Sequence, residues 1–162
     1  MKKAIIISLL LAFVVCLPSF ALFSVGALGA NYSFTAESAT AFGIEVGVPF
    51  SIIPMAKTNI QVLTGTYSSA SFMPIVAQQS FSLPFIGGLY GGVEAGYINI
   101  EVAGQTGGVL MYGGFAGYEF PIGMAANAFA EASYDIIPLS QIDSGSDDET
   151  ILVIKGGARI GL

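Results

Sequence analysis

The sequence predicts an all-β fold: a closed antiparallel up-and-down transmembrane β-barrel of about eight strands, following an N-terminal signal peptide. Three observations predict it. The chain is too apolar for a water-soluble domain, since 54% of its 162 residues are hydrophobic and only 10% are charged, where soluble domains average roughly 25% charged. Beyond the first segment there is no run of about 18 apolar residues, the length that a membrane-spanning helix requires. Several segments instead alternate bulky apolar residues with small or polar ones at period two, the pattern of a strand with lipid on one face and a lumen on the other. Only helices and closed barrels satisfy every backbone hydrogen bond inside hydrocarbon, so the barrel is the remaining architecture.

Residues 1–21, MKKAIIISLLLAFVVCLPSFA, place two lysines before an apolar core and end in a small-x-small sequence, Ser19-Phe20-Ala21. This is the layout of a secretory signal. A retained anchor is the competing reading, because Ala4 to Phe23 is nearly long enough to cross a bilayer. Lipid attachment at Cys16 would need a small residue before it, and Val15 stands there. Removal of this segment leaves residues 22–162 as a single barrel domain without cysteine. Three basic residues (Lys57, Lys155, Arg159) then face eleven acidic ones. Stability must come from packing and hydrogen bonding rather than disulfides, and nucleic acid is a poor partner for so acidic a chain.

The strands fall at about 22–32, 40–50, 58–67, 72–82, 85–98, 108–120, 124–136 and 150–162, an even number as an up-and-down barrel needs. The first, third and fourth alternate weakly, and Pro74 lies inside the fourth, where a closed barrel offers no free edge. A start after Pro74, or a bulge, is expected there. The second, FGIEVGVPF, sets Phe42, Ile44, Val46, Val48 and Phe50 on one face and Gly43, Glu45 and Gly47 on the other. The fifth and sixth are less clean: Glu94 shares a face with Gly88, Gly92 and Gly96, while Gly87 and Gly91 fall on the opposite one. The related stretches YGGVEAGY (90–97) and YGGFAGY (112–118) read as neighbouring strands solving one packing problem with inward glycines. The seventh sends Ala126, Ala128, Ala130, Ala132, Tyr134 and Ile136 one way and Asn127, Glu131, Ser133 and Asp135 the other, with Phe129 out of pattern. The last separates Leu152, Ile154, Ala158, Ile160 and Leu162 from Lys155, Gly157, Arg159 and Gly161. A bilayer enforces such parity, because a Lys or Arg facing lipid at mid-depth costs about 2–4 kcal/mol.

Prolines at 49, 54, 84 and 121 mark the joins after strands two, four and six as short periplasmic turns, and the other joins are expected to be longer and more polar. The segment 138–150, with Asp143, Asp147, Asp148 and Glu149, reads as a solvated outer loop and lacks the spacing of an EF-hand. Phe42, Phe50, Phe85, Tyr97, Phe120 and Tyr134 are placed near strand ends, where interfacial girdles lie.

The chain has no histidine, which removes the usual general base and zinc ligand and argues against an enzyme. GGFAGY lacks the Lys-Ser/Thr of a phosphate loop. No catalytic, cofactor or metal site is expected. The chemistry that remains is a set of charges assigned to the inner face: Glu45, Glu94, Glu119, Glu131, Lys155 and Arg159. They form either a paired, hydrogen-bonded plug or the lining of a narrow polar conduit. A hairpin centred on residue 143 places Glu131 opposite Lys155, the first pair to examine.

The leading segment, eight alternating strands, proline-marked turns and the closing GARIGL together resemble the small outer-membrane β-barrels of the OmpA, OmpX and OmpW type. The resemblance covers the whole of 22–162 and is one of architecture; the terminal Leu162 departs from the Phe or Trp usual in such barrels. It implies residence in the outer membrane of a diderm bacterium, contact with outer-membrane lipid, insertion by the barrel-assembly machinery, and an extracellular partner reached through the loops. The leading expectation is a non-enzymatic structural or surface-interaction protein with a largely filled lumen. A narrow channel for small or apolar solutes and a soluble periplasmic barrel that binds an apolar ligand are the alternatives.

Overall fold

The computed structural model describes residues 23–35, 37–49, 55–67, 70–83, 85–102, 104–138 and 147–162. Eight strands follow one another: β1 (Ser24–Ser33), β2 (Ser38–Pro49), β3 (Ala56–Tyr67), β4 (Ala70–Ser82), β5 (Leu89–Val102), β6 (Gln105–Pro121), β7 (Ala126–Ile137) and β8 (Glu149–Gly161). Each pairs antiparallel with the next, and β8 returns to β1, so the sheet closes as the expected up-and-down barrel. Closure leaves no edge with unpaired backbone groups. The segment 1–21, Phe50, Pro54, Pro84 and residues 139–146 lie outside the described residues.

Parity governs which side chains face the outside. On β2, Phe42 and Ile44 are 66% and 59% exposed while Glu45, between them, is 0% exposed. On β8, Leu152, Ile154 and Ile160 face out and Ile151, Val153, Lys155 and Arg159 face in. Among the described residues no helix is long and apolar enough to cross a membrane.

Four details differ from expectation. The first is β4, which starts at Ala70, runs through Pro74 and keeps its register. Its ladder to β3 passes from Val62↔Ile75 to Gly65↔Phe72 without a bulge, while the β5 side continues through Pro74↔Ile98. The rung lost for want of an N–H falls toward β3 alone.

The second concerns the joins. Those at 34–37, 68–69 and 103–104 are no longer than the proline-marked ones at 50–55, 83–88 and 122–125; only 138–148 is long. The missing loop residues are strand. Outward-facing Thr40 on β2, Asn99 and Glu101 on β5 and Thr106 on β6 continue the ladders, and Gly104 turns the β5–β6 hairpin at φ 81°, a conformation glycine adopts without steric cost. Phe42 and Tyr97 consequently stand within their strands, with polar residues beyond them.

Third, the related glycine stretches do not place equivalent residues on one face, since Tyr90 is buried in the lumen and Tyr112 is exposed outside. Their relative register, with Glu94 opposite Gly113, sets them one face apart.

Fourth, the lumen is layered. In the half nearer the chain ends it is polar. In the other half Leu28, Tyr32, Leu63, Phe72, Val76, Ile98, Met111, Ile151 and Val153 pack as one apolar cluster. Bulky apolar groups therefore lie inside as well as outside.

Candidate functional site

The polar layer is built by register. Glu45 on β2 stands opposite Gln61 on β3, Gln78 on β4 opposite Glu94 on β5, and Glu131 on β7 opposite Lys155 on β8. Side chains of this length, all on the inner face, then reach across the lumen as well as along the sheet. Gln61 Nε2 donates to Glu45 Oε2 (3.1 Å) and to Gln78 Oε1 (3.0 Å). Gln78 Nε2 in turn donates to Glu94 Oε2 (2.7 Å) and Glu131 Oε1 (2.6 Å). Lys155 Nζ donates to Glu94 Oε2 (2.7 Å) and lies 3.2 Å from Glu131 Oε1.

The circuit closes on the far side. Tyr90 OH donates to Glu131 Oε2 (3.1 Å), Arg159 Nη2 donates to Tyr90 OH (3.5 Å), and Arg159 Nε lies 2.9 Å from Glu45 Oε1. Six strands contribute to this ring. The other two face it with glycine or alanine at Gly26 and Ala30 on β1 and at Gly113 and Gly117 on β6, with the larger Leu28 and Phe115 between them. Gly113 lies opposite both Glu94 and Asp135, and a Cβ there would collide with the Asp135 carboxylate and the Tyr134 carbonyl. Glycine is thus the residue that lets groups from β5 and β7 approach over β6.

All of the predicted charges except Glu119 are almost fully buried in this layer. Glu119 sits at its rim, 4.0 Å from Arg159 and accepting a hydrogen bond from Asn127 Nδ2 (2.8 Å). Phe129 breaks the parity of β7 because its ring faces inward beneath the Arg159 guanidinium, 4.0 Å from centroid to Cζ, with Tyr90 on a second side at 5.7 Å. Cation–π contact of this kind gains strength where water is excluded.

The sequence reading named no neutral members of the ring. Gln61, Gln78 and Tyr90 link carboxylates that would otherwise repel, and Asp135, held by Ser133 Oγ (2.9 Å), adds a further buried acid. Parity already set Asp135 on the Glu131 face of the seventh strand, although it stood outside the expected set of inner charges.

Chemically, the ring can neutralise and fix charge. Buried carboxylates and cations at these distances compensate one another's desolvation. Above it, toward the long join, lies the apolar cluster, with the buried Ser133 and Asp135 opposite Val153 and Ile151 of β8.

No protein-family profile matches the chain, and no curated protein does. Solved structures do. The chain is similar to Neisserial surface protein A (NspA), with a TM-score of 0.60 at 12% identity over 90% of this chain and 100% of that one. It is also similar to the N-terminal β-barrel domain of Pseudomonas aeruginosa OprF, with a TM-score of 0.53 at 17% identity over 85% of this chain and 97% of that one. At such identities the likeness is one of fold. The architecture is that of a small eight-stranded outer-membrane barrel.

Proposed function

We propose that residues 1–21 direct export and that residues 22–162 form an integral outer-membrane barrel. It acts as a non-enzymatic structural and surface-interaction protein, with its lumen closed. One observation carries this reading: bulky side chains such as Phe42, Ile44, Leu152 and Ile154 cover the outside, while Glu45, Glu94, Glu131, Lys155 and Arg159 are paired at the centre. Lipid stabilises that inversion and water does not. In a soluble barrel for an apolar ligand the β2 side chains would turn inward, the opposite of their placement. Insertion by the barrel-assembly machinery, and an extracellular partner met at the loop end, belong to the same reading.

The charged ring and the apolar cluster stand in series along the axis, which supports a plug over a conduit. The test is planar-bilayer recording on refolded protein. The plug predicts a quiet membrane at moderate voltage, with carbonate-resistant membrane association and heat-modified gel mobility. Steady, discrete openings would favour the narrow channel, and release by carbonate would favour the soluble barrel.

A further inference from the structure

At the loop end, above the apolar cluster, the barrel holds an open cavity of about 150 Å³. Its walls include Phe34, Tyr67 and Ile137, and its floor is formed by the buried Phe72, Ile98 and Val109. Tyr67 and Phe34 are packed edge to face, with ring centroids 4.9 Å apart. An apolar cavity of this volume has room for a guest about as large as a benzene ring. The floor residues belong to the apolar cluster of the lumen, and the lining residues Phe34, Tyr67 and Glu149 set the cavity at the loop end.

Among the described residues one charged side chain lines the cavity. Glu149, at the start of β8, accepts a hydrogen bond from the Thr35 backbone N–H at Oε1 (3.0 Å), which fixes its carboxylate at the wall. Around it the loop end carries exposed Glu37, Glu101, Asp147 and Asp148. Among the described residues no Lys or Arg accompanies them, since Lys57 opposes Pro49 near the other end and Lys155 and Arg159 belong to the central ring. A field of one sign around a low-dielectric recess concentrates ligands of the opposite sign.

We infer that this pocket binds small primary amines that carry one aryl or short alkyl group, the apolar group in the cavity and the ammonium at Glu149. Anionic amphiphiles of the same shape are turned away by the rim. This goes beyond a structural barrel and does not depend on whether the lumen conducts.

The test uses the protein in lipid nanodiscs, with para-fluorophenethylamine and its anionic counterpart para-fluorophenylacetate followed by fluorine NMR against protein-free nanodiscs. Saturable binding of the amine is expected, with the acid at least tenfold weaker. Glu149→Gln, which can still accept the Thr35 N–H, is expected to weaken the amine roughly three- to fivefold, the scale of one partly exposed charge contact. Val109→Phe fills the pocket from the floor and Ile137→Phe from the wall. Each is checked for folding by heat-modified mobility, and each is expected to abolish binding; a single folded variant decides. No saturable binding to the parent, equal affinity for amine and acid, or binding that survives in a filled variant would overturn the inference.

Discussion

Lys155 reaches Glu94 and Glu131 together, at 2.7 and 3.2 Å, with all three side chains shielded from solvent. Removing the ammonium leaves two carboxylates facing one another away from solvent. Breaking a buried pair in this way costs about 3–5 kcal/mol, whereas exchanging the whole set for neutral groups of similar volume is often close to neutral. Lys155→Met is therefore expected to lower unfolding stability by about 3–5 kcal/mol in urea titrations of the refolded protein. The triple replacement Lys155→Met, Glu94→Gln, Glu131→Gln is expected to recover most of that loss. Equal midpoints for Lys155→Met and parent would mean that the ring contributes nothing. Part of this site was legible in the residues themselves: parity put Lys155 and Glu131 on one face, and a hairpin centred near 143 set them opposite. The Glu94 contact was not, because it crosses the lumen from β5 and depends on barrel diameter and stagger, which no periodicity along a single strand encodes. Gln61 and Gln78 escaped notice for a related reason: neutral amides give no charge signal, and they lie on strands whose alternation is faint.

At the level of the strands, that faintness has a physical origin. On β1, β3 and β4 the inner face is apolar in the half toward the long join, through Leu28, Tyr32, Leu63, Phe72 and Val76, while the outer face carries Val25, Ile60, Val62, Met73 and Ile75. Two greasy faces erase the period-two contrast. On β2, β7 and β8 the inner face carries Glu45, Glu131, Lys155 and Arg159, and there the contrast was plain. The long β6 shows what inward glycine does. Gly113 has the Asp135 side chain and the Tyr134 carbonyl over its Cα, whereas a Cβ at Gly107, near the β5–β6 hairpin, would meet nothing within 4 Å. Gly113→Ala is expected to cost about 1–3 kcal/mol by overpacking, and Gly107→Ala to leave stability within about 0.5 kcal/mol of the parent, as surface changes usually do. Parallel urea titrations measure both. Similar losses at the two sites would mean that β6 responds to glycine content in general rather than to the approach of β5 and β7 over Gly113.

For the molecule as a whole, the closed sheet allows two solvents on its two faces, and the axis runs from a charged ring through an apolar cluster to an open apolar pocket. The eight strands and their order were legible because lipid imposes one rule on every outer face; the layering of the lumen was not, because inside a barrel packing across the axis sets the chemistry. The placement of the outer face is the claim on which the rest stands. It is measured most directly by nitroxide labels introduced singly at Val46, Ile154 and Val153 of the protein in liposomes, with collision rates for a lipid-dissolved and a water-soluble quencher. The barrel account predicts strong collisions with the lipid-dissolved quencher at Val46 and Ile154 and almost none with either at the inward Val153. Protection of Val46 and Ile154 from the lipid-dissolved quencher, or stronger collisions there with the water-soluble one, would contradict it.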